Sequence, residues 1–449
     1  MSTLSSQSYK GTRDYYPEDM RVRNYIFSVW HTVAKRYGYD EYATPLLEPL
    51  EIYTAKSGQE LASEQTYTFV DRGDRQVAIR PEMTPSVSRL VAARRQELAY
   101  PARLYSIANF MRYERPQRGR EREFWQCNMD IFGAESAAAD AEIIQMGVGV
   151  LREFGAKDTD YVVKLNNRKL VDVIMSEYLQ LDPVQSQLMI KLFDRKNKLA
   201  SEAFRDQAIE IFGQEAAQTG LKRIAELLVA KKASDMPKAI AEAEAMKDVN
   251  DVLKHLKTVG ITHVTFDPTL MRGLDYYTGT VFEFFDTHPE NNRAMYGGGR
   301  YDGLVGLFGA EPVSAVGIAP GLTPTELFLQ SHGLLPQLAT ETDVYVVVLG
   351  EDAQKGATKL AERLRSEKVN VELDITGRKL DKQIKTAVKK GVPYMLFVGE
   401  SELKNEVYSL KNTASSDEQS LSFERVVTTI KDKRHKRKKP VHDELDDLI

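Results

Sequence analysis

Residues 110–133 read FMRYERPQRGREREFWQCNMDIFG. Arg112, Arg115, Arg118, Arg120 and Arg122 fall inside this stretch, with Glu114, Glu121 and Glu123 interleaved. Apolar residues lie on both sides: LYSIANF leads in and MDIF leads out. The pattern predicts a strand, a charged loop centred on Gly119 and a returning strand. Arginine is permanently charged, and its planar fork of donors fits phosphate and carboxylate. Charge alone is also what a solvated hairpin tip carries. Gln126 and Asp130 point further. They stand four apart on the returning strand, so period-two alternation puts them on one face, and Arg112 on the outgoing strand can join it. A polar face on a buried sheet must be satisfied, and a ligand is a good candidate.

The chain has 449 residues, enough for two or three domains. Hydrophobic content of 42% with 28% charged residues fits a soluble globular protein. The net charge of -4 gives no compositional argument for nucleic-acid binding, so any basic surface must be local. The single cysteine, Cys127, rules out an internal disulfide and suits a reducing cytosol. It admits a nucleophilic role or a small buried apolar one, and the second is favoured. The 7 histidines are scattered without zinc-ligand spacing, so no structural zinc is expected. No apolar run approaches the roughly 20 residues of a membrane span, and the first residues lack an apolar signal core. A cytoplasmic location is expected, with neither membrane nor DNA as partner.

Working outward, Val22, Ile26, Val29, Trp30 and Val33 have helical spacing up to Gly38, and a strand follows over 39–50. Two strands flank the turn Asp71–Asp74. Then comes Arg80-Pro81-Glu82-Met83-Thr84-Pro85, where a carboxylate can pair with an amino group and Thr84 can cap a helix over 86–96. Ala134–Phe154 reads as a helix stopped by Gly155. Residues 168–258, rich in Ala, Lys, Glu and Leu, read as a helical insertion. Its lysine runs at 196–198 and 231–232 are more simply solvated helix faces than RNA contacts.

Arg272 stands next to Gly273, where bare backbone lets it approach a ligand closely, and Tyr276 and Tyr277 would point to opposite faces. Gly297–Gly303 reads as a tight turn presenting Arg300 and Tyr301, since no P-loop or dinucleotide spacing follows. After a linker at 331–341, residues 342–430 alternate β-α-β-α-β, predicting a small α/β domain with a largely parallel sheet. Arg378 and Lys379 there are candidates for RNA phosphates. The basic run at 431–439 opens a charged tail over 431–449, expected to be disordered and to assist RNA binding in a salt-sensitive way.

Arg112–Gln117, Gly119-Arg120 and Phe124-Trp125-Gln126 resemble motif 2 of the class II aminoacyl-tRNA synthetases, and most closely the histidyl type. Arg272–Gly279 and Gly297–Gly303 resemble two stretches particular to the histidyl-tRNA synthetase family. The resemblance spans roughly residues 9–430. It implies an α+β core of an antiparallel sheet flanked by helices over 1–330, interrupted by the insertion, with a C-terminal α/β anticodon-binding domain. The helix and strand before residue 50 would form the motif 1 interface of a homodimer.

The implied reaction activates L-histidine with ATP and Mg²⁺ and transfers it to tRNA(His). Arg112 and Arg272 would flank the α-phosphate as catalytic groups, with Glu114 and Arg120 also on ATP. Glu82, Met83, Thr84, Arg112, Gln126, Asp130, Arg272, Tyr276, Tyr277 and Tyr301 would line the histidine site. Gln117, Arg118, Arg378 and Lys379 would face tRNA. The chain departs from the family pattern at Met83 (commonly glycine), at Asp130 (often glutamate) and at Pro324, where motif 3 usually carries an arginine for the γ-phosphate. The last departure leaves a second reading open, a non-catalytic histidine-sensing or RNA-binding regulator.

Overall fold

A computed structural model describes residues 4–55, 64–196, 199–230, 233–271, 276–291 and 293–438. Two compact units divide the chain, one of Met1–Tyr16 and Val22–Leu335, the other of Pro336–Ile449 with the short segment Pro17–Arg21. The first contains β1 (Asp40–Glu41), β2 (Leu47–Pro49), β3 (Tyr67–Val70), β4 (Gln76–Ile79), β5 (Ala102–Met111), β6 (Glu123–Phe132), β7 (Tyr161–Asn167), β8 (Val264–Phe266), β9 (Thr280–Asp286), β10 (Ala294–Arg300) and β11 (Ala315–Ile318). An eight-stranded sheet has the order β1-β5-β6-β11-β10-β9-β7-β8. It is antiparallel through its centre, with one parallel pair at each edge. The strands β2-β4-β3 form a smaller sheet.

Alternation along β6 sorts its residues between two cores. Cys127, Met129 and Ile131 pack with Ile26, Val29 and Trp30 of the helix Pro17–Arg36 and with Ile143, Ile144 and Met146 of the helix Ala137–Glu153. Phe132 packs on the opposite face with Met83, Val87, Phe110, Tyr276, Tyr277 and Tyr301. The register Ser106↔Asn128 and Leu104↔Asp130 puts those polar side chains on this second face. Cys127 is fully buried among apolar neighbours, and burial pushes its thiol well above its ordinary value. That makes it a packing residue rather than a nucleophile.

The glycine-rich stretch is not a tight turn. Gly297, Gly298 and Gly299 lie inside β10, paired on both sides. Their neighbours explain the composition: a Cβ on Gly298 would fall 2.0 Å from the Gly317 carbonyl oxygen, and one on Gly299 would fall 2.7 Å from the Tyr277 ring. Thr84 is likewise not a helix cap. It is the first residue of the helix Thr84–Ala93, and Met83 before it makes no side-chain cap bond.

Residues 168–258 fold mainly as helices, among them Pro183–Asp194, Ser201–Phe212, Ala217–Val229 and Glu244–Thr258. Asp182 starts the first of these with a capping box closed by Gln185, and Pro183 follows in the first turn.

The second unit holds β12 (Val344–Val348), β13 (Val371–Leu373), β14 (Tyr394–Val398), β15 (Val407–Asn412) and β16 (Glu418–Ser422), in the order β13-β12-β14-β15-β16. The first three are parallel, and β15 and β16 add an antiparallel hairpin, so the sheet is mixed. The helix Phe423–Lys438 includes the first residues of the basic segment, and 439–449, the rest of the expected disordered tail, lie outside the described residues.

One buried ion pair ties the helix Ala137–Glu153 to the sheet. Arg300 donates to Asp140 Oδ1 from Nε (2.9 Å) and Nη2 (2.6 Å), and Thr280 donates to Asp140 Oδ2 (2.6 Å). Both charged residues are under one-tenth exposed. Removing one partner strands the other charge in a dry interior, which typically costs about 3–5 kcal/mol. Arg300→Leu is therefore expected to lower the denaturation midpoint of the purified chain strongly, while the double change Arg300→Leu/Asp140→Leu recovers much of the loss.

Candidate active site

The site lies on the sheet face that carries Asp130. Across the row Leu104–Asp130–Gly317–Gly299–Val281, two consecutive positions have no side chain. A Cβ on Gly317 would stand 2.0 Å from Asp130 Oδ1. The bare positions leave room for the Asp130 carboxylate and the Tyr277 ring to lie over the neighbouring strands.

Tyr301 donates to Asp130 Oδ1 at 2.5 Å. Burial pushes the Asp130 carboxyl up to about 7, and the Tyr301 hydrogen bond only partly opposes it. Burial, and then the Asp130 charge, push the Tyr301 phenol well above its usual range, so it remains a donor. Tyr276 donates to Glu82 Oε2 (2.9 Å) and lies 3.4 Å from Thr84 Oγ1. The Tyr276 ring contacts the rings of both Tyr277 and Tyr301, with centroids 4.9 and 5.9 Å away. Glu82, Met83, Thr84, Asp130, Tyr276, Tyr277 and Tyr301 are thus gathered in one place. Met83 fills the floor as an apolar residue, with Thr44 Oγ1 3.2 Å from its sulfur.

Arg112 and Gln126 stand toward the rim of the same face. Arg112 donates from Nε to the Pro81 carbonyl (2.9 Å), and its guanidinium lies 5.3 Å over the Phe124 ring. Gln126 bridges to Gly321, which fixes the start of the helix Leu322–Ser331 against β6. Farther out, Glu114 pairs with Arg120 at 2.7 Å, and the Arg120 side chain keeps about half its exposure. Arg122, alike in sequence, has a different job. It donates to the Glu114 carbonyl (3.1 Å) and to Tyr9 Oη (3.0 Å), and it stacks on Tyr113. Gln117 accepts from Arg293 (2.8 Å), and Arg118 faces Glu290 at 3.5 Å, both on the exposed outer loop.

At Pro324 the helix start carries no cation. Thr323 donates to Glu121 Oε2 (2.9 Å), and Arg13 pairs with Glu326 (2.8 Å), so this end is tethered to the arginine loop instead. In the second unit, Arg378 is folded onto Asp374 (2.8 Å), and Lys379 is exposed just before the helix Leu380–Lys389. Arg272 lies outside the described residues.

Two residues of this face escaped the sequence reading. Asn128 sits between Gln126 and Asp130 with the same parity, so strand alternation could have found it. Tyr42 directly follows the two-residue edge strand β1, which has no periodicity to read. Its place is set by the pairs Asp40↔Leu104 and Glu41↔Tyr105 and by the Tyr42 N–H to Tyr105 carbonyl bond of 2.9 Å.

Comparisons with known proteins give the chain's family. Residues 11–324 match the family model described as histidyl-tRNA synthetase, and residues 343–433 match the anticodon binding domain model. A histidine–tRNA ligase of Leptospira biflexa is 39% identical over 434 residues, covering 96% of this chain and 99% of that protein. One of Haloarcula marismortui is 36% identical, covering 92% and 95%. Among solved structures, apo S. aureus histidyl-tRNA synthetase superposes with a TM-score of 0.71 at 26% identity, covering 95% of this chain and 100% of that one. With a matching family model over most of its length and curated relatives of this similarity, the chain belongs to the histidyl-tRNA synthetase family.

Proposed function

We propose a division of labour within a histidine–tRNA ligase, the activity that family membership gives this chain, with ATP, histidine and tRNA as its partners. The histidine carboxylate attacks the ATP α-phosphorus, pyrophosphate leaves, and the histidyl group then passes to the 3′ end of tRNA(His). The single observation that carries the assignment is the enclosed cluster Asp130–Tyr301–Tyr276–Glu82, opening beside Arg112.

Phosphoryl-type chemistry of this kind needs alignment and charge neutralisation more than proton transfer. Arg112 is held by the Pro81 carbonyl and the Phe124 face, which points a fixed cation at the α-phosphate. Arg272 supplies the second. Arg120, only partly engaged with Glu114, is the cation best placed to turn outward to the γ-phosphate in the absence of an arginine at Pro324. Arg122 is committed to Tyr9 and the Glu114 carbonyl. Mg²⁺ enters with ATP on its phosphates.

Glu82 and Thr84, linked through Tyr276, receive the α-amino group, with Gln126 at the carboxylate end. Asp130 and Tyr277 read the two ring nitrogens. A buried site built to hydrogen-bond a side chain rejects analogues lacking those groups by large factors.

Gln117 and Arg118 face the acceptor end, and Arg378 and Lys379 face the anticodon arm. The exposed apolar side chains of Leu46, Leu47, Phe69 and Val70 on or beside the small sheet support a homodimer. No helix among the described residues is long and apolar enough to cross a membrane.

Histidine-dependent exchange of pyrophosphate into ATP is the direct test. Arg112→Ala and Arg272→Ala should each lower the exchange rate by about a hundredfold or more. A wild-type chain that binds histidine without exchange would instead support the regulatory reading.

Asp130 gives a second, signed expectation. Its folded-state pKa near 7 lies above the unfolded value of about 3.9, so the folded form holds the proton more tightly. Its contribution therefore favours folding at low pH and is lost as pH rises from about 4 to about 7, on the order of a few kcal/mol. Asp130→Asn should be more stable than wild type at pH 8, should converge with it near pH 4, and should lose most histidine activation at both ends. Equal stability at pH 8 would show that the carboxylate is not held in a dry site.

A further inference from the structure

Three buried polar atoms on the site face have no hydrogen-bond partner among the described residues: Tyr42 Oη, Asn128 Nδ2 and Asp130 Oδ2. Their positions converge. Asn128 and Asp130 are neighbours on one face of β6, about 7 Å apart along the strand. The pairing of β1 with β5 puts Tyr42 on the same face, in line with Ser106 and Asn128. Its long side chain spans most of the roughly 10 Å that separates strands two apart. The Tyr42 hydroxyl is enclosed, and its ionisation is suppressed first by burial and then by the Asp130 charge, which puts the two groups within electrostatic reach. Asn128 and Asp130 are each no more than 5% exposed. The other Asp130 oxygen is already taken by Tyr301.

Leaving a buried polar atom unpaired is costly, so three in one place call for a shared partner. A buried water characteristically makes about three hydrogen bonds to such groups. We propose that Tyr42, Asn128 and Asp130 build a fixed water site that extends the Asp130 carboxylate toward the amino-acid ring. The water donates one hydrogen to Asp130 Oδ2 and accepts from Asn128 Nδ2 and Tyr42 Oη. Its remaining hydrogen points into the pocket, to a ring nitrogen. Tyr42 and Asn128 are thus positioning residues for ring recognition. The proposal rests on this face being the histidine pocket.

Two experiments test it. A crystal structure of the full chain better than about 2 Å should show a solvent peak within about 3.2 Å of all three atoms, and Tyr42→Phe should remove it. This arm does not depend on catalysis, so it decides the water site even if histidine is not activated. In pyrophosphate exchange, Tyr42→Phe and Asn128→Leu should each raise KM for histidine roughly tenfold and leave KM for ATP unchanged. The double variant should be little worse than either single one, because both lose the same water. In an Asp130→Glu background, whose longer arm occupies the water's place, Tyr42→Phe should change KM for histidine less than about twofold. A merely structural role would give additive losses that persist in that background. Absence of the peak, additive losses, or unchanged KM in both single variants would overturn the proposal.

Discussion

The site depends on a constraint of space. Gly317 and Gly299 sit side by side on adjacent strands, opposite Asp130 and beneath Tyr277, and neither tolerates a Cβ. These glycines are extended strand residues, so what matters is the missing side chain and not an unusual backbone angle. A central sheet normally covers its face with side chains that interdigitate at close-packed density. Two bare neighbours break that cover and make a hollow floored by backbone. The carboxylate can then lie flat on the sheet, and Tyr301 can meet it in a fixed orientation.

Charge is handled in two regimes around that hollow. Inside it, Asp130 is almost without solvent, and burial decides its state, with a phenol only partly opposing it. On the opposite face of the sheet, Asp140 and Arg300 neutralise each other in a second dry interior. At the rim, Arg120, Arg118 and Glu290 are exposed or half-exposed, and Glu114 lies largely covered beneath Arg120. Such pairs are worth little on their own and are screened by salt, so they exchange partners at small cost. That contrast suits a reaction in which one substrate must be recognised in detail and the other brings several negative charges that need only be met. Arg118 and Arg120 are each paired with a glutamate, which offsets part of the repulsion among the five arginines of a short loop.

Much of this was legible in the sequence. The β5–β6 hairpin followed from alternation on either side of a charged loop, and the same alternation put Gln126 and Asp130 together. Tyr301 was marked by its neighbours, but the strand character of 294–300 was not. Glycine has no hydropathy pattern, and the reason for these glycines lies on the flanking strands, which are distant in sequence. Arg120 and Arg122 are indistinguishable by composition, and only the position of Tyr9 separates their tasks. Thr84 reads as a cap because threonine before a helix usually is one; its hydroxyl instead lies near Tyr276. The hairpin β15–β16 is short, polar and largely exposed, so it lacked the apolar run that marked the parallel strands before it.

Strand order has a consequence for biogenesis. β11 is the last of the eight strands to leave the ribosome, yet it lies between β6 and β10. Until residue 318 has emerged, the nascent sheet exists as two separate pieces, β1-β5-β6 and β10-β9-β7-β8. Each presents an unpaired edge in the middle of the future domain, and exposed edges of this kind invite pairing with other chains. One four-residue segment, Ala315–Ile318, acts as the keystone that closes both edges at once. The interval before it arrives is the part of the protein's life in which chaperone protection matters most.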